Sequence, residues 1–351
     1  MNQKIPLGLA YDDVLLIPQH SHLESRSEVD LSTQITPRIK IKLPIISVNM
    51  SDVTGVDMAI ALGKLGGLGF LHRFNSPEEE ADMVAKVKKA KVYVGAAIGI
   101  RNSYMERAEA LVRAGVDILT LDIAHAAMQK AIDATATLKM RFGEKVAVAS
   151  GVVATYEGAY DLFKAGADSV RVGVGPGTIC LTRTETGVGV PQITALLDTI
   201  RAAKKFKKTI LCDGGTKNSG DIIKGLATGA SGVIVGSQLA GHDEAPGKLV
   251  ERGGKKYKSY NASTSLAEKK NHSKKLNDLG KGYINHIEGV ESFVPYKGAL
   301  AKTIERMEAN LRAGFSYCGA KNITELWEKA KFIRITSQGL RESGAHDVIL
   351  A

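Results

Sequence analysis

The chain has 351 residues, 44% hydrophobic, 24% charged and 5% aromatic, with 37 Gly and 9 Pro, which excludes disordered, collagen-like and disulfide-framework proteins. No run approaches the roughly 18 apolar residues that a bilayer span requires, and the opening MNQKIPLGLAYDDVLL lacks the features of a secretory leader, so a cytoplasmic protein with no membrane partner is expected. The net charge of +10 raises nucleic acid, but the lysines fall in short clusters such as 204–208 and 269–270 without interleaved aromatics; small phosphorylated ligands suit such a surface, and no nucleic acid is expected.

In chain order, LPIISVNM (43–50), a helical VDMAIALGKLGG (56–67) and LGFLHR (68–73) open a strand–helix–strand pattern. Buried strands then recur at 93–99, 116–122, 146–151, 167–173, 209–215 and 231–237, each bounded by Gly or a small polar residue. Helical segments at 106–115, 156–166 and 219–230 close on A-G or G-A, with glycine supplying the C-cap. About eight such units indicate an α/β fold of the closed (β/α)8 TIM-barrel type, a single barrel domain over residues 1–351, with chemistry in the loops after the strands. The stretch 253–286 is polar and shows little apolar periodicity; a long mobile active-site flap is expected there.

Three post-strand segments are glycine-rich: 173–192, 213–221 and 236–241. Backbone N–H groups exposed by Asp213-Gly214-Gly215 and Gly236-Ser237 can hold a phosphate, and Asp213 can accept from ribose hydroxyls; tight turns alone would also explain these glycines. Cys180 sits in a Gly/Pro loop, followed by Thr182 and Arg183, a setting that favours an exposed thiolate nucleophile. Cys212 and Cys318 read as buried apolar groups. No C-x-x-C pair occurs, which suits a reducing compartment. His125, His242, His272, His286 and His346 are scattered and read as surface or internally satisfied histidines, and Glu288 reads as a surface carboxylate or an acid/base at the flap's end.

The segment GVGPGTICLTRTETGVGVPQ resembles the catalytic loop of the IMP dehydrogenase/GMP reductase family, together with YDDVLLIP (11–18), LPIISVNM, CDGGTKNSGDIIKGLATGA (212–230), VPYKG (294–298) and FIRITSQGLRESGAHD (332–347). The resemblance implies a homotetrameric barrel acting on a purine nucleoside monophosphate, GMP or IMP, with NADPH or NAD+ as cofactor. By it, Cys180 matches the thiolate that attacks purine C2 to form a thioimidate, and Thr182 and Glu288 a proton-shuttling pair. Ser47, Asp213, Gly214, Gly215, Gly236, Ser237 and Tyr260 match substrate-holding positions, and Asp122 and Ala124 cofactor positions. Gly175, Gly177 and Cys180 match carbonyl ligands of a K+ ion, completed by Glu342, Ser343 and Gly344 of a neighbouring subunit.

Within that resemblance the flap separates two reactions. The dehydrogenase pattern carries an Arg-Tyr pair that activates water; here Leu276-Asn277 stands at that place and residues 261–286 contain no arginine. No regulatory Bateman (CBS-pair) module interrupts 85–91 and the following strand, and Ala240-Gly241-His242 resembles the reductase form. Gly187–Gln192 and the GLRESGAHD tail are closer to the dehydrogenase form. The chain departs from both patterns at Gly151, Met50-Ser51-Asp52 and Ala262–Ser265. NADPH-dependent reduction of GMP to IMP is the expected activity, with IMP oxidation to XMP as the alternative and a nucleotide-binding regulatory barrel without turnover as the alternative of another class.

Overall fold

The computed structural model describes residues 5–101, 103–275, 283–345 and 348. Eight parallel strands close into a barrel: β1 (Ile45–Ser47), β2 (Leu68–Leu71), β3 (Val94–Ile98), β4 (Ile118–Leu121), β5 (Ala147–Val153), β6 (Ser169–Val172), β7 (Thr209–Asp213) and β8 (Gly232–Val235). Each lies inside an expected segment or overruns it by two residues at most. Closure comes from β8 pairing back onto β1, with Val233 opposite Ile45 and Val235 opposite Ser47. The strands are apolar on both faces because helices cover the outside while other side chains fill the inside. Ile46, Leu68, Phe70, Ile118, Leu211 and Ile234 form that inner layer.

A hairpin not read from the sequence, Thr33–Thr36 with Ile39–Ile41, adds Ile35, Ile39 and Ile41 to the same layer. Its Thr209 partner fixes it in place, the hydroxyl donating to the Ile35 carbonyl at 2.6 Å. The entry strand Val14–Leu16 pairs antiparallel with Phe332–Arg334, so the two ends of the chain are joined. Among the described residues no helix is long and apolar enough to cross a membrane.

Within 253–286 and its flanks the structure adds elements that the sequence pattern does not reveal. Strands Leu249–Arg252, Lys255–Ser259 and Phe293–Pro295 form a three-stranded antiparallel sheet, and Leu266–Lys275 is a helix. Polar residues conceal this pattern because several are buried with partners. Lys258 is 6% exposed, its ammonium donating to the carbonyls of His242 at 2.8 Å and of Ala245. The elements form an arm over the mouth of the barrel. Leu276-Asn277, where the flap was compared with Arg-Tyr, lies outside the described residues.

Candidate active site

The loop after β6 turns on a Cys180 N–H bond to the Gly177 carbonyl at 3.1 Å, then enters a short helix, Thr182–Thr186. The arm is zipped to this loop. Leu181 N–H donates to the Glu288 carbonyl at 2.8 Å, and Val290 N–H to the Ile179 carbonyl at 3.2 Å. A side chain between them has no room: a Cβ on Gly289 would stand 2.2 Å from that of Ala262. This backbone match brings together three residues far apart in sequence. The Cys180 thiol lies 3.1 Å from the Thr182 hydroxyl, which donates to a Glu288 carboxylate oxygen at 2.6 Å. Arg183, expected as the cationic neighbour of the thiol, instead donates to the Val190 carbonyl at 2.5 Å and pins the loop.

Beside the thiol is a hollow of about 200 Å³ lined by Cys180, Asp213, Gly214, Gly215, Gly236, Ser237 and Tyr260. Gly214 and Gly215 have φ of +94° and +86°, the left-handed region that only glycine adopts freely, and so turn the chain sharply at the end of β7. Tyr260 reaches over from the arm and is 5% exposed. Burial pushes its phenol well above the usual range, so it stays a protonated donor at neutral pH. Ser47 is not in this hollow. It is fully buried near the outer helix, its hydroxyl 3.5 Å from where a Gly69 Cβ would stand, and alternation along the chain gives the lining position to Val48.

A second hollow of about 440 Å³ shares Gly177, Cys180, Asp213 and Gly214 with the first and extends past Asp122, Ala124, Gly175, Arg73 and Arg171. Its floor is a charged chain that sequence reasoning missed. Arg171 donates to Asp213 at 2.9 Å and to the Thr120 hydroxyl at 3.1 Å, and lies 3.9 Å from Asp122, which Arg73 holds at 2.9 Å. Burial opposes the charge on Asp122, but Arg73 and Arg171 outweigh it and hold the carboxyl below its ordinary value. The available signal was an arginine in the middle of the apolar strand SVRV.

The sequence matches the family model described as IMP dehydrogenase / GMP reductase domain over residues 8–346. The chain belongs to the IMP dehydrogenase/GMP reductase family. It is 33% identical to the inosine-5'-monophosphate dehydrogenase of Nitrosopumilus maritimus, with 98% of this chain and 99% of that one covered. With the GMP reductase of Leishmania donovani it shares 32%, covering 98% of each. With the dehydrogenase of Cryptosporidium parvum it shares 37%, covering 99% and 96%. The crystal structure of a Trypanosoma brucei GMP reductase in complex with guanosine 5'-monophosphate superposes with a TM-score of 0.93 at 29% identity, over 98% of this chain and 99% of that one.

Membership makes the protein an oxidoreductase of purine nucleotides from a family that uses NAD(P)H; both reaction names occur among relatives of similar identity. The alignments to the Nitrosopumilus dehydrogenase and the Leishmania reductase run over 473 and 480 positions, and that to the Cryptosporidium dehydrogenase over 391. Extra length therefore accompanies either name, and the uninterrupted passage from 85–91 into β3 does not separate the reactions.

The departures from the family pattern also find their places. Met50, Ala262, Ser263 and Thr264 line the first hollow. Ser51 and Asp52 hold the arm instead: the Ser51 hydroxyl donates to Glu268 at 3.0 Å, and Asp52 accepts from Asn261 N–H at 3.0 Å. Gly151 lies against Arg171, where a Cβ would stand 2.5 Å from the arginine's own. Cys212 is fully buried beside the Tyr11 hydroxyl at 2.8 Å, and burial pushes its thiol up to about 12. Cys318 is 2% exposed. His242 is buried with a ring nitrogen 3.0 Å from the Gly298 carbonyl, and His272 stacks on Phe74 with centroids 3.7 Å apart. His125 is exposed, and His346 lies outside the described residues.

Proposed function

We propose that the protein is a GMP reductase that removes the 2-amino group of GMP and leaves IMP. The observation that carries this choice over IMP oxidation is the composition of the arm: residues 261–286 contain no arginine to activate water, and lysine lacks the planar fork that would replace it. The neighbour's complex with guanosine 5'-monophosphate supports the same reading.

Asp213, Gly214, Gly215, Gly236, Ser237 and Tyr260 hold ribose and phosphate in the first hollow, with Cys180 facing purine C2. The thiol adds at C2 and its proton passes through Thr182 and Glu288 to the amino nitrogen, so that ammonia leaves and a thioimidate remains. The second hollow fits a nicotinamide, because it opens onto Cys180 and Asp122 stays ionised there to accept from an amide. Asp122 and Ala124 orient that ring. When bound, NADPH supplies the hydride that ends at C2. Cys180 then departs as thiolate and takes a proton back.

The carbonyls of Gly175, Gly177 and Cys180 are hard oxygen donors suited to K+, fewer than the roughly six such an ion takes. A neighbouring subunit's Glu342, Ser343 and Gly344 would complete the shell in a homotetramer. Purified protein given GMP and NADPH is expected to lose the absorbance of reduced nicotinamide while releasing one ammonia per hydride. Sustained reduction of NAD+ with IMP, yielding XMP, would replace this reading with the dehydrogenase.

A further inference from the structure

We propose that His286 is the proton gate that connects bulk water to the Cys180–Thr182–Glu288 relay. The inference rests on the relay assigned above and adds to it the residue through which protons enter and leave. One Glu288 carboxylate oxygen accepts from Thr182 at 2.6 Å, and the other lies 2.9 Å from Nε2 of His286. The carboxylate thus divides its two oxygens between the thiol side and the outside. Its side chain is 14% exposed, whereas that of His286 is 74% exposed.

Among the described residues a charged group at this place is Lys269, from the helix Leu266–Lys275. Its ammonium donates to the His286 carbonyl, which fixes the backbone of the gate. Burial lowers its pKa, and the charge of Glu288 opposes that shift.

Proton balance requires a gate. In reductive deamination the thiol proton departs with ammonia, and the thiolate released after hydride transfer needs a new proton from water. In the alternative reaction, loss of hydride from IMP to NAD+ as the thiol adds at C2 would release the thiol proton by the same route. Thr182 relays without storing charge, and Glu288 is enclosed. An imidazole accepts on one nitrogen and releases from the other, and it exchanges with water at neutral pH. The contrary reading is an exposed ion pair of little consequence.

The test uses His286→Gln, which keeps a polar group but cannot titrate, in the full chain, with its thermal midpoint checked against the parent. Cys180 is alkylated with iodoacetamide across the imidazole range, about pH 5 to 8; Cys212 and Cys318 are buried and do not compete. The parent is expected to show an inflection in alkylation rate that the variant lacks. In turnover of whichever nucleotide and cofactor pair the parent uses, kcat is expected to fall about tenfold or more, with KM within about twofold and added imidazole restoring most of the loss. An unchanged alkylation profile in the variant overturns the proposal whatever the turnover shows. If the parent turns over neither pair, the proposed activity fails, and the alkylation profile still decides the gate.

Discussion

Asp213 and Glu288 both face the thiol's surroundings, but they arrive there differently. Asp213 ends a strand whose Ile210, Leu211 and Cys212 are fully buried, and Arg171 fixes it from within the barrel. Glu288 arrives on the arm, between exposed Asn285, His286 and Glu291. Its position depends on a few bonds to the Cys180 loop and on polar anchors at the base of the arm. Rigid strands position what must not move, while the arm is held by contacts each worth about 1 kcal/mol. Changes at the barrel mouth should therefore remove chemistry or stability outright, and changes in the arm should grade it.

The largest effect tests the mouth. Cys180→Ala should lower kcat by about 10⁴-fold or more while GMP binding, followed by calorimetry, stays within a few-fold, because the first hollow keeps its other walls. Arg171→Met comes next. It leaves the half-buried Asp213 and Asp122 without their shared cation, although Arg73 still holds Asp122, a loss of about 1–3 kcal/mol. The sign with pH follows from Asp122, whose folded carboxyl is depressed: its stabilising contribution is present above the unfolded value of about 3.9 and is lost as pH falls through the lower folded value. Removing Arg171 raises that folded value, so acid unfolding followed by circular dichroism should begin at higher pH than in the parent.

Glu288→Gln carries the comparison to the arm. The amide keeps the shape and the backbone zip but cannot hold a transferable proton, so kcat should fall about 10²-fold. Chemical alkylation of Cys180 should persist, because the thiol remains. Loss of alkylation as well would mean that Glu288 holds the loop rather than moves protons.

The same contrast explains what the sequence made legible. The eight strands were readable because parallel strands covered on both faces leave continuous apolar runs, and the glycines of 213–215 were readable because a φ near +90° has few alternatives. The floor hairpin was not, since Thr33–Thr36 and Ile39–Ile41 are too short to show alternation against their surroundings. The strands and helix of the arm were not legible because its buried positions are occupied by Lys258, Glu268, Lys269 and His272, polar residues that are buried with partners. Arg171 is an arginine inside an apolar strand, which alone does not tell its role. Its meaning depends on Asp122 and Asp213, 49 and 42 positions away, and no local pattern links the three.

The smallest effect addresses the arm's anchor alone. His272 is 2% exposed, stacks on Phe74 with ring planes 3° apart, and lies 3.3 Å from Glu268, which also takes the Ser51 hydroxyl. Phe74 stands on the barrel side of the second hollow, beside Arg73. His272→Ala removes the stacking, worth about 0.5–1.5 kcal/mol, without touching any group near the thiol. If the arm closes the site as a hinged body, that loss lowers the closed population and raises KM for both nucleotide and cofactor by about 2- to 10-fold, with kcat at saturation nearly unchanged. A fall in kcat at unchanged KM would show that His272 sets the register of Glu288 as well, and would place the arm with the barrel mouth as one rigid unit.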